Sequence, residues 1–555
     1  GNYRVNTQMG IRAIKAYDLD AAEKYLRTAV KRITMNYTRP RDGEAQYLLG
    51  IVLKMKGQYE EAYELLYRSS WSSAQHTAAY FNLAGIDCIK GEWEKALGHV
   101  DLAIATNTDN MRAIDLKAYA LRKAGKGNEA ATLLKCAVDT CKIDPMAFNE
   151  LGKLEGAKWA SLMDKVLVDN VQLYLELAWE YAQMGAWPEA VEVLDKIAAK
   201  GCTLPTLFYT QGFMYSKMGQ QAKAEELYRK AAKLPSDYCF PFRIEEVSVL
   251  EAAMQAAPSD AKAPYYLGNL YYESQPDKAI ALWQQSVDTD PSFYIPHRNL
   301  AWAYKTNKQD YKTAQDYIKK AIALNPTDAR LLYEADDLAD LNKATPKEKY
   351  DFLRKNWKVA STRSETVLRY ATRAVENGKY QEAIDIMDKN FIIESEGATA
   401  KQKNYLDSYC ILALNSADKK QFGKAEEYIG KALSYPIGLY DRGVYARLYY
   451  LAGEIASRKG DSAAAGEYYR QAAQTTSSRR GGVEQSFYSA MAQKALGNTS
   501  QADKMLNDIL SADNTRANAF SQFGGGTRAA DQIKAESCYS KGLALMGMGR
   551  NSEAL

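Results

Sequence analysis

The sequence predicts an all-α protein, a superhelix of antiparallel helix pairs. Three observations predict it. Small residues recur at a fixed period: Gly50, Ala84, Ala118 and Gly152 each follow the last by 34 residues, the period of a helix–turn–helix solenoid. Within a period the small residue is followed by a second after twelve residues and a third after seven more, as in Gly50/Ala62/Ser69, Ala84/Ala96/Ala103 and Ala118/Ala130/Ala137. The stretches that carry them are amphipathic at helical spacing.

The unit at 77–110 shows the physics. Tyr80 to Cys88 sets large apolar residues around Ala84, and Trp93, Ala96, Leu97, Val100 and Ala103 share one face of a second helix. Gly91 lies between them, where a tight turn needs positive φ. Helices so close in sequence pack antiparallel, and Ala84 and Ala96 allow close approach. One pair cannot bury its faces alone, so pairs stack.

In chain order, Gly10/Ala22/Ala29 form the first unit, followed by a longer connection with Pro40 and Gly43. Three regular units end near Asp144-Pro145. Residues 146–171 keep phase at Gly152 but shorten the second helix. Ala178/Ala190 and Gly212/Ala224 are regular again. These form a first array, 1–235. Residues 236–262 interrupt it with a loop at Pro241, one helix from Arg243 to about Ala256, and a stop at Pro258. A second array, 263–519, holds Gly268/Ala279, Ala301/Ala314/Ala321, a degenerate pair at Ala335 with a helix start at Thr345-Pro346, then Ala371/Ala383, Ala413/Ala425/Ala432, Ala452/Ala464 and Ala490/Ala502. Its later loops are 392–401, 436–443 and 475–482. Residues 520–555 carry a glycine-rich loop and the start of a last pair at Gly542. The total is about 13–15 pairs, several degenerate. Gly1 is not Met, and Leu555 follows Ala554, which should open a second helix; both ends read as those of a fragment. The last pair is expected to expose an apolar face and to promote end-to-end association.

Apolar content of 46% excludes a disordered chain, and a net charge of +4 argues against nucleic acid as partner. No apolar run reaches the length of a membrane span. The seven cysteines show no zinc-ligand spacing and read as packed thiols.

The pattern resembles the tetratricopeptide repeat, most fully in 263–291, where Tyr266, Leu267, Gly268, Tyr271, Ala279, Trp283 and Pro291 stand at family positions. Gly268 to Ala279 is eleven residues, one short. Several stretches, among them 41–50, 63–74, 240–251 and 328–338, are similar to the C-terminal repeat half of a group of large bacterial proteins. In that group the N-terminal half is β-rich, sugar-mutarotase-like and of unknown function. The resemblance implies a repeat half whose β-rich partner lies outside this chain, and it implies no catalytic residues. The 436–443 stretch departs from the Gly- and Glu-rich loop of that group.

A catalytic reading finds little. His76, His99 and His297 lie at no ligand spacing, and 524–526 lacks the strand and Lys-Ser/Thr of a phosphate loop. The acid pairs Glu245-Glu246 and Asp336-Asp337 read as solvated helix faces. No catalytic, metal or cofactor site is expected.

The family fold implies that the first helix of each pair lines the concave side. Residues three before, one after and four after the small residue then point inward, a set read as Tyr47, Lys54, Phe81, Tyr119, Arg122, Trp179, Tyr209, Phe213, Tyr265, Asn269, Trp302 and Lys305, with Lys217 one place further along. Aromatic rings among cations suit a peptide or a sugar with a carboxylate. The Lys-and-Asn carboxylate clamp of some chaperone-binding repeats is not present as a set. The expected role is a non-enzymatic scaffold for a protein or peptide, the β-rich domain among the candidates. The alternative is a carbohydrate-related role. The expected compartment is the cytoplasm, with the periplasm or export as the alternative.

Overall fold

The computed structural model describes residues 2–36, 38–393, 400–436, 444–475, 483–511 and 527–554. The described residues contain helices and no strand. Packing divides the chain into two compact units, Gly1–Leu324 and Asn325–Leu555. The division falls inside the second of the arrays read from the sequence, and the segment 236–262 lies within the first unit.

The first unit runs α1 (Tyr3–Lys15), α2 (Leu19–Ile33), α3 (Glu44–Met55), α4 (Tyr59–Ser69), α5 (His76–Lys90), α6 (Trp93–Thr106), α7 (Met111–Lys123), α8 (Gly127–Thr140), α9 (Pro145–Glu155), α10 (Ala157–Leu167), α11 (Val171–Ala182), α12 (Trp187–Ala199), α13 (Pro205–Lys217), α14 (Gln221–Lys233), α15 (Glu245–Ala256), α16 (Lys262–Tyr271), α17 (Pro276–Thr289), α18 (Tyr294–Ala303) and α19 (Tyr311–Leu324). The second runs α20 (Ala329–Leu341), α21 (Pro346–Lys355), α22 (Trp357–Ala360), α23 (Ser364–Glu376), α24 (Tyr380–Lys389), α25 (Ala400–Asp418), α26 (Phe422–Ser434), α27 (Tyr445–Lys459), α28 (Ser462–Gln474), α29 (Val483–Ala495), α30 (Thr499–Ser511), α31 (Thr527–Gly547) and α32 (Asn551–Ala554).

The small residues do what their spacing predicts. A β-carbon on Gly212 would lie 2.6 Å from the Tyr228 ring, and one on Gly268 2.6 Å from Trp283 Nε1. Each glycine leaves room for the large side chain of its paired helix. The turns repeat one device. In the turns after α3, α5 and α7, glycines at 57, 91 and 125 take φ of 75°, 74° and 79°. The next N–H then reaches back to Leu53, Asp87 and Leu121 carbonyls at 2.8–2.9 Å, closing the helix end. Where the sequence is one residue short, Gln275 N–H bonds directly to Tyr271 O at 2.7 Å. Where Ala301 to Ala314 is one residue long, a π-helical turn at Tyr304–Lys308 absorbs it.

Three readings change. The unit expected at Ala452/Ala464 is set one residue later: Gly453 faces Tyr469, and Ala465 and Ala472 are buried while Ala464 is half-exposed. Adjacent small residues at both positions made the two registers look alike. Asp336 is not solvated but fully buried, with Arg373 Nη2 2.8 Å from its Oδ2. Glu246 is buried too and accepts the Phe242 and Arg243 backbone N–H groups, both at 2.7 Å. The Thr345 helix start is a full capping box with Glu348. Most of the loops read at 392–401, 436–443 and 475–482, and the glycine-rich 524–526, lie outside the described residues.

Within the first unit, pairs far apart in sequence meet. Ser274 Oγ and Gln275 Nε2, in the α16–α17 turn, donate to Ala16 O at 3.2 and 2.8 Å. The Tyr17 ring packs edge-on against Tyr271 with centroids 6.4 Å apart. The winding is therefore tight enough for the first pair to touch the turn after α16.

Candidate functional site: a basic pocket on the inner helices of the first unit

The same tight winding brings α5 against the turn after α11. A β-carbon on Gly185 would lie 3.0 Å from Ile89 Cγ1, and one on Gly85 3.5 Å from Gln183 O. Glycine is needed at 185, where φ is 72° and a β-carbon would also press on the Ile89 Cα at 3.2 Å, while the separation of Gly85 from Gln183 is ordinary contact. Between them opens a small pocket, partly open to solvent, whose walls include Lys54, Phe81, Arg112, Leu116, Glu180 and Met184. Its helical contributions come from α3, α5, α7, α9 and α11, the first helices of their pairs.

Lys54 extends from the last turn of α3 under α5. Its Nζ donates to Asn82 Oδ1 at 3.0 Å and lies 3.2 Å from the position a Gly85 β-carbon would take. Among the described residues no carboxylate lies within ion-pair distance of it. Burial pulls its amine down to about 8. On the facing wall, Arg112 Nε and Nη2 both donate to Glu180 Oε1, at 3.1 and 3.0 Å. The Arg112 side chain is 65% exposed. Burial pushes the Glu180 carboxyl up against the opposing pull of Arg112. One turn before, Glu176 accepts Arg243 Nη2 at 2.6 Å. Thus α11 offers two carboxylates, each answered by an arginine from an element 67 or 68 residues away.

The structure does not bring the sequence-predicted residues together in one site. Lys54 and Phe81 line the pocket. Tyr47 is half-buried beside Asn82. Tyr119, Trp179, Tyr209, Phe213 and Tyr265 are buried in helix packing: Tyr119 against Trp93 and Tyr181, Trp179 against Phe213, Tyr265 against Phe293. Tyr209 Oη donates to Asp260 at 2.6 Å. Arg122 is committed to Glu150 and Glu189 at 2.6 and 3.1 Å, with Tyr181 Oη donating to Glu150 at 2.8 Å. Asn269 accepts from Trp283 Nε1 and Asn299 at 3.1 and 3.0 Å. Lys217 lies over Phe213, and Lys305 over the half-open Trp302 ring.

Sequence reasoning missed Arg112, Asn82, Glu180 and Gly85. Arg112 stands six before Ala118, and Asn82 and Glu180 stand two before and two after their small residues, outside the set expected to point inward. The signal was available as charge: Glu176 and Glu180 one turn apart on a helix otherwise apolar.

His99 Nδ1 lies 2.7 Å from the buried Asp87 carboxylate, and His297 meets Pro291 O at 3.1 Å. Among the described residues no cluster of His, Cys, Asp or Glu is arranged to hold a metal ion. Among them, too, no helix is long and apolar enough to cross a membrane.

Tetratricopeptide repeat models match residues 7–74, 205–238, 299–328 and 446–477; these stretches are tetratricopeptide repeats, and paired helices continue through the described residues between them. Solved structures with likeness to the chain include the C-terminal part of a tetratricopeptide repeat-containing protein from Cytophaga hutchinsonii, 16% identical, covering 47% of this chain and 94% of that one at a TM-score of 0.27. Yeast Tom70 is 13% identical over 89% of this chain and 95% of its own, at 0.24. PilW, a type IV pilus biogenesis factor, is 18% identical over 38% and 91%, at 0.23.

Proposed function

We propose that these tetratricopeptide pairs form a non-enzymatic scaffold that binds a protein segment on the inner helices of the first unit, anchored by a carboxylate at Lys54. The observation that carries this reading is the lone lysine. Every other cation described around the pocket, Arg112, Arg122 and Arg243, has a carboxylate of its own. Lys54 has one neutral partner, Asn82, and an open pocket beside it. A half-buried ammonium without a counter-charge gains from an incoming anion. Phe81, Leu116 and Met184 supply apolar walls for the side chain that carries it.

The burial of Trp179, Tyr209, Phe213 and Tyr265 favours a peptide over a glycan, since these rings keep no open face for a sugar. The β-rich domain that the sequence resemblance implies is one candidate donor of the segment. Selection from a random 12-residue peptide library displayed on phage tests the reading. Enrichment of Asp, Glu or a free C-terminal carboxylate, lost when Lys54→Met replaces the wild type, supports it. Selection of neutral peptides, indifferent to that substitution, contradicts it.

A further inference from the structure

The pocket also holds the elements of a covalent site. An amine becomes a nucleophile when it is held away from water, is not tied up by a carboxylate, and faces open space. Lys54 approaches these conditions: it is half-buried under α5 against Gly85, its acceptor is the amide oxygen of Asn82 rather than a carboxylate, and it lines the pocket. Its surroundings are chiefly apolar on one side, through Phe81, Leu116, Met146 and Met184, and ionic on the other, through Arg112 and Glu180. Arg112 uses only one oxygen of Glu180 and keeps most of its guanidinium exposed. It therefore has donors left for a second carboxylate.

We infer that Lys54 is a capture site for small carbonyl compounds that carry a carboxylate, 2-oxo acids in chemical class, forming an imine at Nζ while Arg112 receives the carboxylate. In this step the lone pair of the neutral amine attacks the carbonyl carbon and the C=O π pair moves to oxygen. A proton passes from nitrogen to that oxygen. The carbinolamine then loses its hydroxyl with a second proton as water, and the C=N bond forms. Nothing is oxidised or reduced, and no co-reactant is needed. The depressed amine affinity for protons supports the inference, because it leaves a neutral fraction near neutral pH that a solvent lysine lacks. The inference shares its pocket with the peptide reading but not its outcome, since labelling requires no peptide.

The test is reductive trapping on the full chain. Glyoxylate is the probe, propionaldehyde its neutral comparator, and cyanoborohydride fixes any imine as a secondary amine before peptide mapping by mass spectrometry. The expected result is labelling of Lys54 by glyoxylate at pH 7.5 at least about tenfold faster than the median lysine. Its pH midpoint should lie near 8 rather than above 10. Arg112→Gln should slow glyoxylate several-fold and leave propionaldehyde unchanged. The wild-type measurement decides the matter even if a variant fails to fold. Labelling of Lys54 no faster than the median lysine overturns the site. Equal response of both probes to Arg112→Gln overturns the role of Arg112 and the 2-oxo acid class.

Discussion

The hydroxyl of Tyr17 donates to the carbonyl oxygen of Phe242, 225 residues further on, at 3.2 Å. Tyr17 occupies the turn position that glycine fills after α3, α5 and α7, and it does so at φ 60°. A left-handed conformation costs a side chain of this kind about 1–2 kcal/mol. The contacts with Phe242 and Tyr271 offset that cost by tying the first pair to the turn of the winding that reaches it. Tyr17→Gly removes the backbone cost and the tie together. Amide exchange should rise in α1, α2 and α16 while α20–α24 stay unchanged. Unchanged exchange in α16 would show that the contact holds nothing.

Gly212 and Tyr228 pack as one unit, so Gly212→Ala should destabilise the first unit by about 1–3 kcal/mol through overpacking. A β-carbon there also meets Ala224 O at 3.1 Å, which is backbone and cannot swing aside. Adding Tyr228→Leu should recover part of the loss, because Leu134 stands at the same offset from Ala118 in another pair. Urea midpoints of the two single variants and the double should therefore be non-additive.

Asp115 is buried, and its carboxyl is pushed well above the ordinary range by that burial, with Asp144, Glu180 and Glu150 adding repulsion. A folded value raised above the unfolded one gives stability that is fully present below the unfolded value and is lost as pH rises through the folded value. Asp115→Asn keeps a neutral side chain at every pH. The variant should match the wild type below the ordinary carboxyl value and exceed it increasingly above, as urea melts at about pH 3.5 and 8.5 would read. A constant difference between the two would remove Asp115 from the titration.

In the second unit, Arg373 bonds Asp336, Asp340 and Glu376 at once, at 2.8, 2.5 and 2.9 Å. Burial alone would raise the Asp340 carboxyl, but Lys349 and Arg373 outweigh it and hold it at about 2. Arg373→Met leaves Asp336 buried without this partner and should cost about 3–5 kcal/mol. Limited proteolysis should then open α20–α24 first.

The fold was legible because it rests on steric rules that repeat. Gly50, Ala84 and Ala118 mark the place where one helix must be thin, and that constraint survives any change of surface. The site was half legible. Lys54 and Phe81 could be placed on the inner helices from register alone, but whether an inner residue is open or buried depends on how tightly the pairs wind. That follows from long-range contacts such as Gly185 with Ile89, which no local spacing records. Tyr209 and Tyr265 sit at the same register offset as Phe81, yet they are packed away. The charges of Glu176 and Glu180 stood in the sequence, but which arginines answer them depends on the same long-range winding.

The central claim is that a ligand carboxylate pairs with Lys54. A double-mutant cycle tests it most directly: a selected acidic peptide and its Glu→Gln or Asp→Asn partner are each titrated by calorimetry against the wild type and Lys54→Met. A coupling energy of about 1.5 kcal/mol or more between peptide acid and lysine is the predicted result. Additive losses, with no coupling, would contradict it and place the anchor elsewhere on the inner helices.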